Sequence, residues 1–229
     1  MFGNWLLQNG KKKEALQKYR DVLKDDPDNS LARLSMMDYY NSIDDQTTVN
    51  VIRRELLQSA KTEQNTKVEL LRQVIAASQK DNTPDSTEVM RLFSVALAAP
   101  QENADILMLK AAYMTLRKMP KTDINHVYEQ AIEVEPDNSR ARILLIQNIW
   151  ETEDYDKVIA ICRPALEYNP DEMAFYYFQG MAQYQKHEND AALTTFRKGV
   201  GQIKPDSNPD IVSDFYAIMG DILHEKGLN

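Results

Sequence analysis

Cysteine occurs once in this chain, at Cys162, so no disulfide can form within it and any stable fold must rest on packing. Glycine is nearly as scarce, at seven of 229 residues, while Ala, Leu, Glu, Lys and Gln are plentiful. That balance favours helix, because these side chains lose little rotamer freedom there and glycine loses the most. Positive charge is in deficit: the formal net charge is −8, and Lys11-Lys12-Lys13 is the one basic run. A protein that grips nucleic acid needs a basic surface to displace counterions, so none is expected as a partner. No apolar run reaches the roughly 18 residues of a membrane helix, and the chain reads as soluble, without membrane insertion. "MFGNWLLQNGKKK" puts its charges after a short apolar run, the reverse of a secretion signal, and the compartment stays open.

The residues of catalysis are also missing. His126, His187 and His224 lie far apart, and none stands in the His-Glu-x-x-His spacing that puts two ligands on one helix face. "GVGQIKP" from Gly199 lacks the spacing of a phosphate loop and reads as a fraying helix end, and Asp44-Asp45 reads as a turn and a cap. No catalytic residue, metal or cofactor is expected, and the chain is not read as an enzyme.

What the sequence has is repetition. Pro27-Asp-Asn-Ser-Leu-Ala-Arg33 returns as Pro136-Asp-Asn-Ser-Arg-Ala-Arg142. Pro-Asp also occurs at Pro84, Pro170, Pro205 and Pro209, so six of the nine prolines share this context. Proline cannot continue a helix, and the Asp, Asn or Ser behind it can cap the next one, so each pair is expected to mark a helix-to-helix joint. Pro136 and Pro170 stand 34 residues apart, a period typical of helical solenoids. Between them, Ile143, Leu145, Ile146, Ile149 and Trp150 fit one amphipathic helix, and Val158, Ile159, Ile161, Cys162, Ala165 and Leu166 a second. Helices of about four turns are not stable alone, so each must bury its stripe on neighbours.

The pattern resembles the tetratricopeptide repeat (TPR) family. The repeat from Ser139 supplies Leu145, Ile149, Val158, Ala165 and Pro170 at family positions; the repeat from Met173 supplies Tyr176, Gly180, Ala192 and Phe196. Ala15, Tyr19 and Pro27 fit a second helix near the start, and Tyr216, Met219, Gly220 and Gly227 a first helix near the end. Ile146 stands where the family has a small residue, and Cys162 where it has an aromatic, which makes Cys162 a buried structural thiol. The stretch from about Ser42 to Pro120 matches poorly. The two Pro-Asp-Asn-Ser segments lie 109 residues apart, seven more than three periods, so lengthened turns are expected in the middle repeats. The resemblance implies an all-α fold: a right-handed superhelical solenoid of antiparallel helix pairs, about six to seven repeats in a single domain over residues 1–229. Partial repeats at both ends read as an excerpt of a longer array.

In the family the first helices line a concave groove. Carried over, this places Arg140, Gln147 and Trp150 beside Tyr177, Met181 and Tyr184, an aromatic and Met cluster of the kind that anchors a partner segment. The repeat from Ser30 would present Leu34, Asp38 and Asn41, and Asp214, Asp221 and Glu225 would make the far end acidic. The Lys-Asn pair with which some members grip a C-terminal carboxylate does not occur at the matching positions. The expected function is a non-catalytic scaffold binding a protein or peptide segment. The alternative is a structural spacer, or a solenoid that self-associates through its open repeat ends.

Overall fold

The structure is a computed structural model and describes residues 2–80, 86–205 and 207–227. The described residues form helices only: α1 Phe2–Gln8, α2 Lys12–Asp25, α3 Ser30–Asn41, α4 Gln46–Gln58, α5 Gln64–Lys80, α6 Thr87–Ala96, α7 Asp105–Leu116, α8 Lys121–Val134, α9 Ser139–Trp150, α10 Tyr155–Tyr168, α11 Met173–Gln185, α12 Asn189–Val200 and α13 Pro209–Glu225. They read as six helix pairs followed by one further first helix, an all-α repeat fold. The chain divides into two compact units, one up to Tyr113 and one from Met114, with the division inside α7.

The joints work as their chemistry requires. In both Pro-Asp-Asn-Ser segments it is the asparagine that caps: Asn29 accepts from the Ala32 N–H and Asn138 from the Ala141 N–H, each at 2.9 Å. Each asparagine also donates back to an acid at the end of the preceding helix, Asn29 to Asp26 at 3.2 Å and Asn138 to Glu135 at 3.1 Å. One side chain thus closes the start of one helix on the end of another. Two prolines lie within helices, one at the α12–α13 joint and one outside the Pro-Asp pairs. Pro209 is the first residue of α13, capped by Asn208, where its missing N–H costs nothing. Pro164 lies inside α10, where it leaves the Ala160 carbonyl without its helical donor; Ala160 is exposed, so water can take that bond. The Pro84 pair lies outside the described residues.

Within the pairs, the turn from first to second helix carries one left-handed residue: Gly10 (φ 75°), Asp44 (60°), Lys118 (53°), Glu153 (57°) and His187 (59°). The residue after it bonds back across the helix end, Asp45 N–H to the Tyr40 carbonyl at 3.0 Å and Glu188 N–H to that of Gln183 at 2.8 Å. This satisfies carbonyls the helix leaves open. His187 and Asp44 therefore have a conformational role. Asp45 then caps α4, accepting from the Thr48 N–H at 3.1 Å.

First helices begin at Ser30, Gln64, Asp105, Ser139 and Met173, spaced 34 residues apart except for 41 between Gln64 and Asp105. The seven extra residues thus belong to one repeat, α5/α6, and part of the excess is helix: α5 has 17 residues against 12 in α3.

Packing inside the α1/α2, α9/α10 and α11/α12 pairs sets a large residue against a small one. A Cβ built on Gly180 of α11 would lie 2.6 Å from the Phe196 ring of α12, and one on Gly3 would lie 2.4 Å from Tyr19. At the positions equivalent to Gly180 and Phe196, α9/α10 carries Ile146 and Cys162, both fully buried. Large and small have changed sides, which conserves volume and explains both departures from the family pattern.

A second device ties α9 and α11 to the joints before them. The fourth residue of each reaches back: Arg142 donates through Nε and Nη2 to the Pro136 carbonyl at 3.2 and 2.9 Å, and Tyr176 donates to the Pro170 carbonyl at 2.8 Å. Arg142 is buried and also lies over the Tyr168 ring, 5.7 Å from its centroid. Arg33 in the first copy of the motif instead forms longer ion pairs with Asp28 and Glu55, at 3.7 and 3.6 Å.

Gly180→Ala should lower unfolding stability by about 1–3 kcal/mol in urea, with partial recovery in Gly180→Ala/Phe196→Leu. Arg142→Met should cost about 2 kcal/mol, since it strips a buried carbonyl of its donors. Arg33→Met should cost under about 1 kcal/mol in the same measurement, because its pairs are long and partly solvated.

Candidate functional site

The first-helix positions expected to face a partner fall into two groups, one in each unit. In the second unit, Arg140 and Gln147 of α9 are exposed, while Trp150, Tyr177, Met181 and Tyr184 are half-buried. The aromatics are held by one another. Trp150 packs edge-on against Tyr155 at 5.3 Å and tilts over Phe178 at 6.2 Å; Tyr177 meets Phe178 at 5.7 Å and stacks on Phe215 at 6.2 Å. Met181, Tyr177 and Tyr184 pack against the core built on Phe196 and Phe215. The structure thus brings four of the six residues into one continuous apolar ladder across α9, α11 and α13, with part of each still open to solvent.

The acidic residues of α13 are fixed from that ladder. The Tyr184 hydroxyl donates to Glu225 at 3.2 Å, and Asn189 donates to the other oxygen of the same carboxylate at 3.1 Å. Burial, the Asp214 charge and a hydrogen bond to Asp214 all push the Tyr177 hydroxyl above its ordinary pKa. Both tyrosines are therefore neutral donors at any physiological pH.

In the first unit the first helices α3 and α5 enclose a cleft of about 470 Å³. Leu34, Met37 and Leu70 give it an apolar floor, and Asp38, Asn41 and Glu69 line it with polar groups. Asp38 touches solvent, yet the walls strip enough water from its carboxyl to raise its pKa. No cation faces it among the residues lining the cleft. The sequence pattern had placed Leu34, Asp38 and Asn41 on a partner-facing side; it gave no sign that α5 would close a cleft over them, because the α5 repeat matches the family pattern poorly.

Cys162 is fully buried, and burial pushes its thiol up to about 12, so it is neither a nucleophile nor a metal ligand in the folded chain. Among the described residues no group of three His, Cys, Asp or Glu is placed to hold a metal ion, and no helix is long and apolar enough to cross a membrane.

Residues 150–208 match the model of the tetratricopeptide repeat family, a stretch that holds α10 and the whole α11/α12 pair. No curated protein matches the sequence. Among solved structures the fold is similar to that of MamA (residues 41 to the end) from Desulfovibrio magneticus RS-1, at 13% identity and a TM-score of 0.50, over 71% of this chain and 86% of that one. YrrB, described as a TPR protein with an unusual peptide-binding site, is 18% identical with a TM-score of 0.41, over 99% and 89% of the two chains. The TPR2AB domain of yeast Sti1, solved with an HSP90 peptide, is 15% identical with a TM-score of 0.46, over 96% and 95%. At such identities the likeness to these structures is one of fold. Residues 150–208 thus carry the tetratricopeptide-repeat match, and the 34-residue spacing of the helix pairs gives the described residues an all-α helical-repeat fold.

Proposed function

We propose that this chain is a non-catalytic protein-interaction module whose first-helix faces hold a segment of a partner protein. The observation that carries the reading is the cleft between α3 and α5, an apolar floor beside a partly desolvated carboxylate with no cation in the cleft lining. Leu34, Met37 and Leu70 suit an aliphatic side chain, and Asp38 with Glu69 suits a lysine or arginine next to it. In the second unit the exposed parts of Trp150, Tyr177, Met181 and Tyr184, flanked by Arg140 and Gln147, offer rigid aromatic contact area with polar handles. The segment these surfaces fit is apolar and basic.

Asp38 supplies a test in which binding and stability move in opposite directions. Its folded pKa is raised, so the folded state binds protons more readily than the unfolded one, and the ionised carboxylate costs stability above that pKa. Asp38→Asn should therefore raise the midpoint of unfolding at neutral pH. It should also weaken binding of a labelled Leu/Lys peptide about tenfold in a fluorescence titration, the loss of one charge-assisted hydrogen bond. Wild-type affinity should fall with decreasing pH from a point above the ordinary Asp range. Equal affinity in wild type and Asp38→Asn would remove the cleft from the function.

A second reading, self-association through α13, rests on Gly220. The equivalent Gly180 is covered by an aromatic ring, whereas nothing lies within 4 Å of a Cβ on Gly220, and the adjacent Tyr216 is 53% exposed. Sedimentation equilibrium should then show a concentration-dependent dimer that Tyr216→Lys abolishes; a monomer at all concentrations rejects this reading.

A further inference from the structure

Lys67 is the fourth residue of α5, the position at which Arg142 and Tyr176 reach back to the carbonyl six residues earlier. Six residues before Lys67 is Lys61, and its carbonyl is already engaged by the Ser30 hydroxyl at 3.4 Å. That hydroxyl also lies 3.1 Å from the Thr62 hydroxyl, so the joint is closed without Lys67. Lys67 is nevertheless buried, at 5% exposure, and its ammonium makes no hydrogen bond or ion pair among the described residues. Lysine is rarely buried unless paired, so this departure from the repeat needs an occupant for the space in front of it.

That space is a cavity of about 280 Å³ between the α4–α5 joint, the first turn of α5 and the α6–α7 connector. Its walls are Thr62, Gln64, Lys67, Gln101 and Glu102, with Ala60 and Pro100. The far wall is fastened to α5 by Gln64, which donates to the Asn103 carbonyl at 2.9 Å and accepts from the Glu102 N–H at 2.9 Å. Gln101 is locked by donating to the Ala96 and Ala99 carbonyls at 3.1 and 2.5 Å, and its Oε1 is left buried with no partner. One polar cavity thus contains a cation that makes no hydrogen bond, walled by side chains that are themselves fixed.

We infer that this cavity is a binding site for a small oxyanion, such as phosphate or a short carboxylate. An anionic oxygen meets the Lys67 ammonium. The first turn of α5 adds the positive end of a helix to the same side of the cavity. Loss of water lowers the Lys67 pKa, an effect the Glu102 charge only partly opposes, and a bound anion reverses it. Glu102 also keeps the site weak, since any anion shares the space with it. The site lies at the joint end of the helices and is independent of the groove between first helices.

The test uses the intact chain with sodium phosphate, glycolate and acetate, each matched in ionic strength by sodium chloride. At about 10 mM, phosphate should raise the unfolding temperature of wild type by roughly 3 °C over chloride, as expected for millimolar binding, and glycolate and acetate should act in the same direction. Lys67→Met keeps the apolar stem and removes the charge; it should melt above wild type in chloride and show no anion-specific shift. NMR of the lysine side chains in wild type gives a reading that does not depend on the variant, since the Lys67 signal should move on adding phosphate. The proposal is overturned if phosphate and chloride act alike on wild type and its Lys67 signal stays still, or if Lys67→Met responds as wild type does.

Discussion

The α1/α2 and α11/α12 pairs each depend on one contact, a large side chain of the second helix seated where the first helix has a glycine. Helices of 12 to 14 residues are marginal alone, and that contact lets two of them approach closely enough to share a core. Phe196 on Gly180 is the clearest instance, and Ile146 with Cys162 meets the same volume from the other side. Because the constraint is on summed volume, neither position has to keep its residue type, and the repeat can drift in sequence while the pair keeps its shape.

Around that contact, polar groups fix how one pair follows another. Asn29 and Asn138 each cap a helix start and tie it to an acid at the end of the helix before. The fourth residue of the first helix then anchors the joint from inside, by Arg142 or by Tyr176. A left-handed residue turns the chain within the pair, and residues as different as Gly10, Asp44 and His187 serve. With joints and turns supplied by short local bonds, the outward-facing positions of the first helices are free to vary. The surface that distinguishes this chain from other repeats lies there, in the α3/α5 cleft and in the ring ladder from Trp150 to Phe215.

Lys67 shows how a repeat yields information when it breaks its own rule. In α3, α9 and α11 the fourth residue binds the joint or its neighbours, whereas in α5 it is a cation buried before an open cavity. The deviation can be seen only because the other helices define what the position normally does.

The sequence by itself determined the class of fold, the 34-residue period and most of the joints, because proline, capping asparagine and apolar spacing act over a few residues and leave local marks. It also placed Cys162 in the core and Leu34 and Asp38 on one face of α3. Only the tertiary structure decided the rest. It put the seven extra residues in one repeat, turned Pro164 to a place where its missing N–H meets solvent, and gave His187 a backbone role. It joined Trp150 and Tyr177 through Phe178 into one ladder, and it closed α5 over α3 to form a cleft around Asp38. These features arise between residues about 30 or more apart, where the outcome depends on which volumes and charges meet across neighbouring helices, and no local pattern in the chain records that.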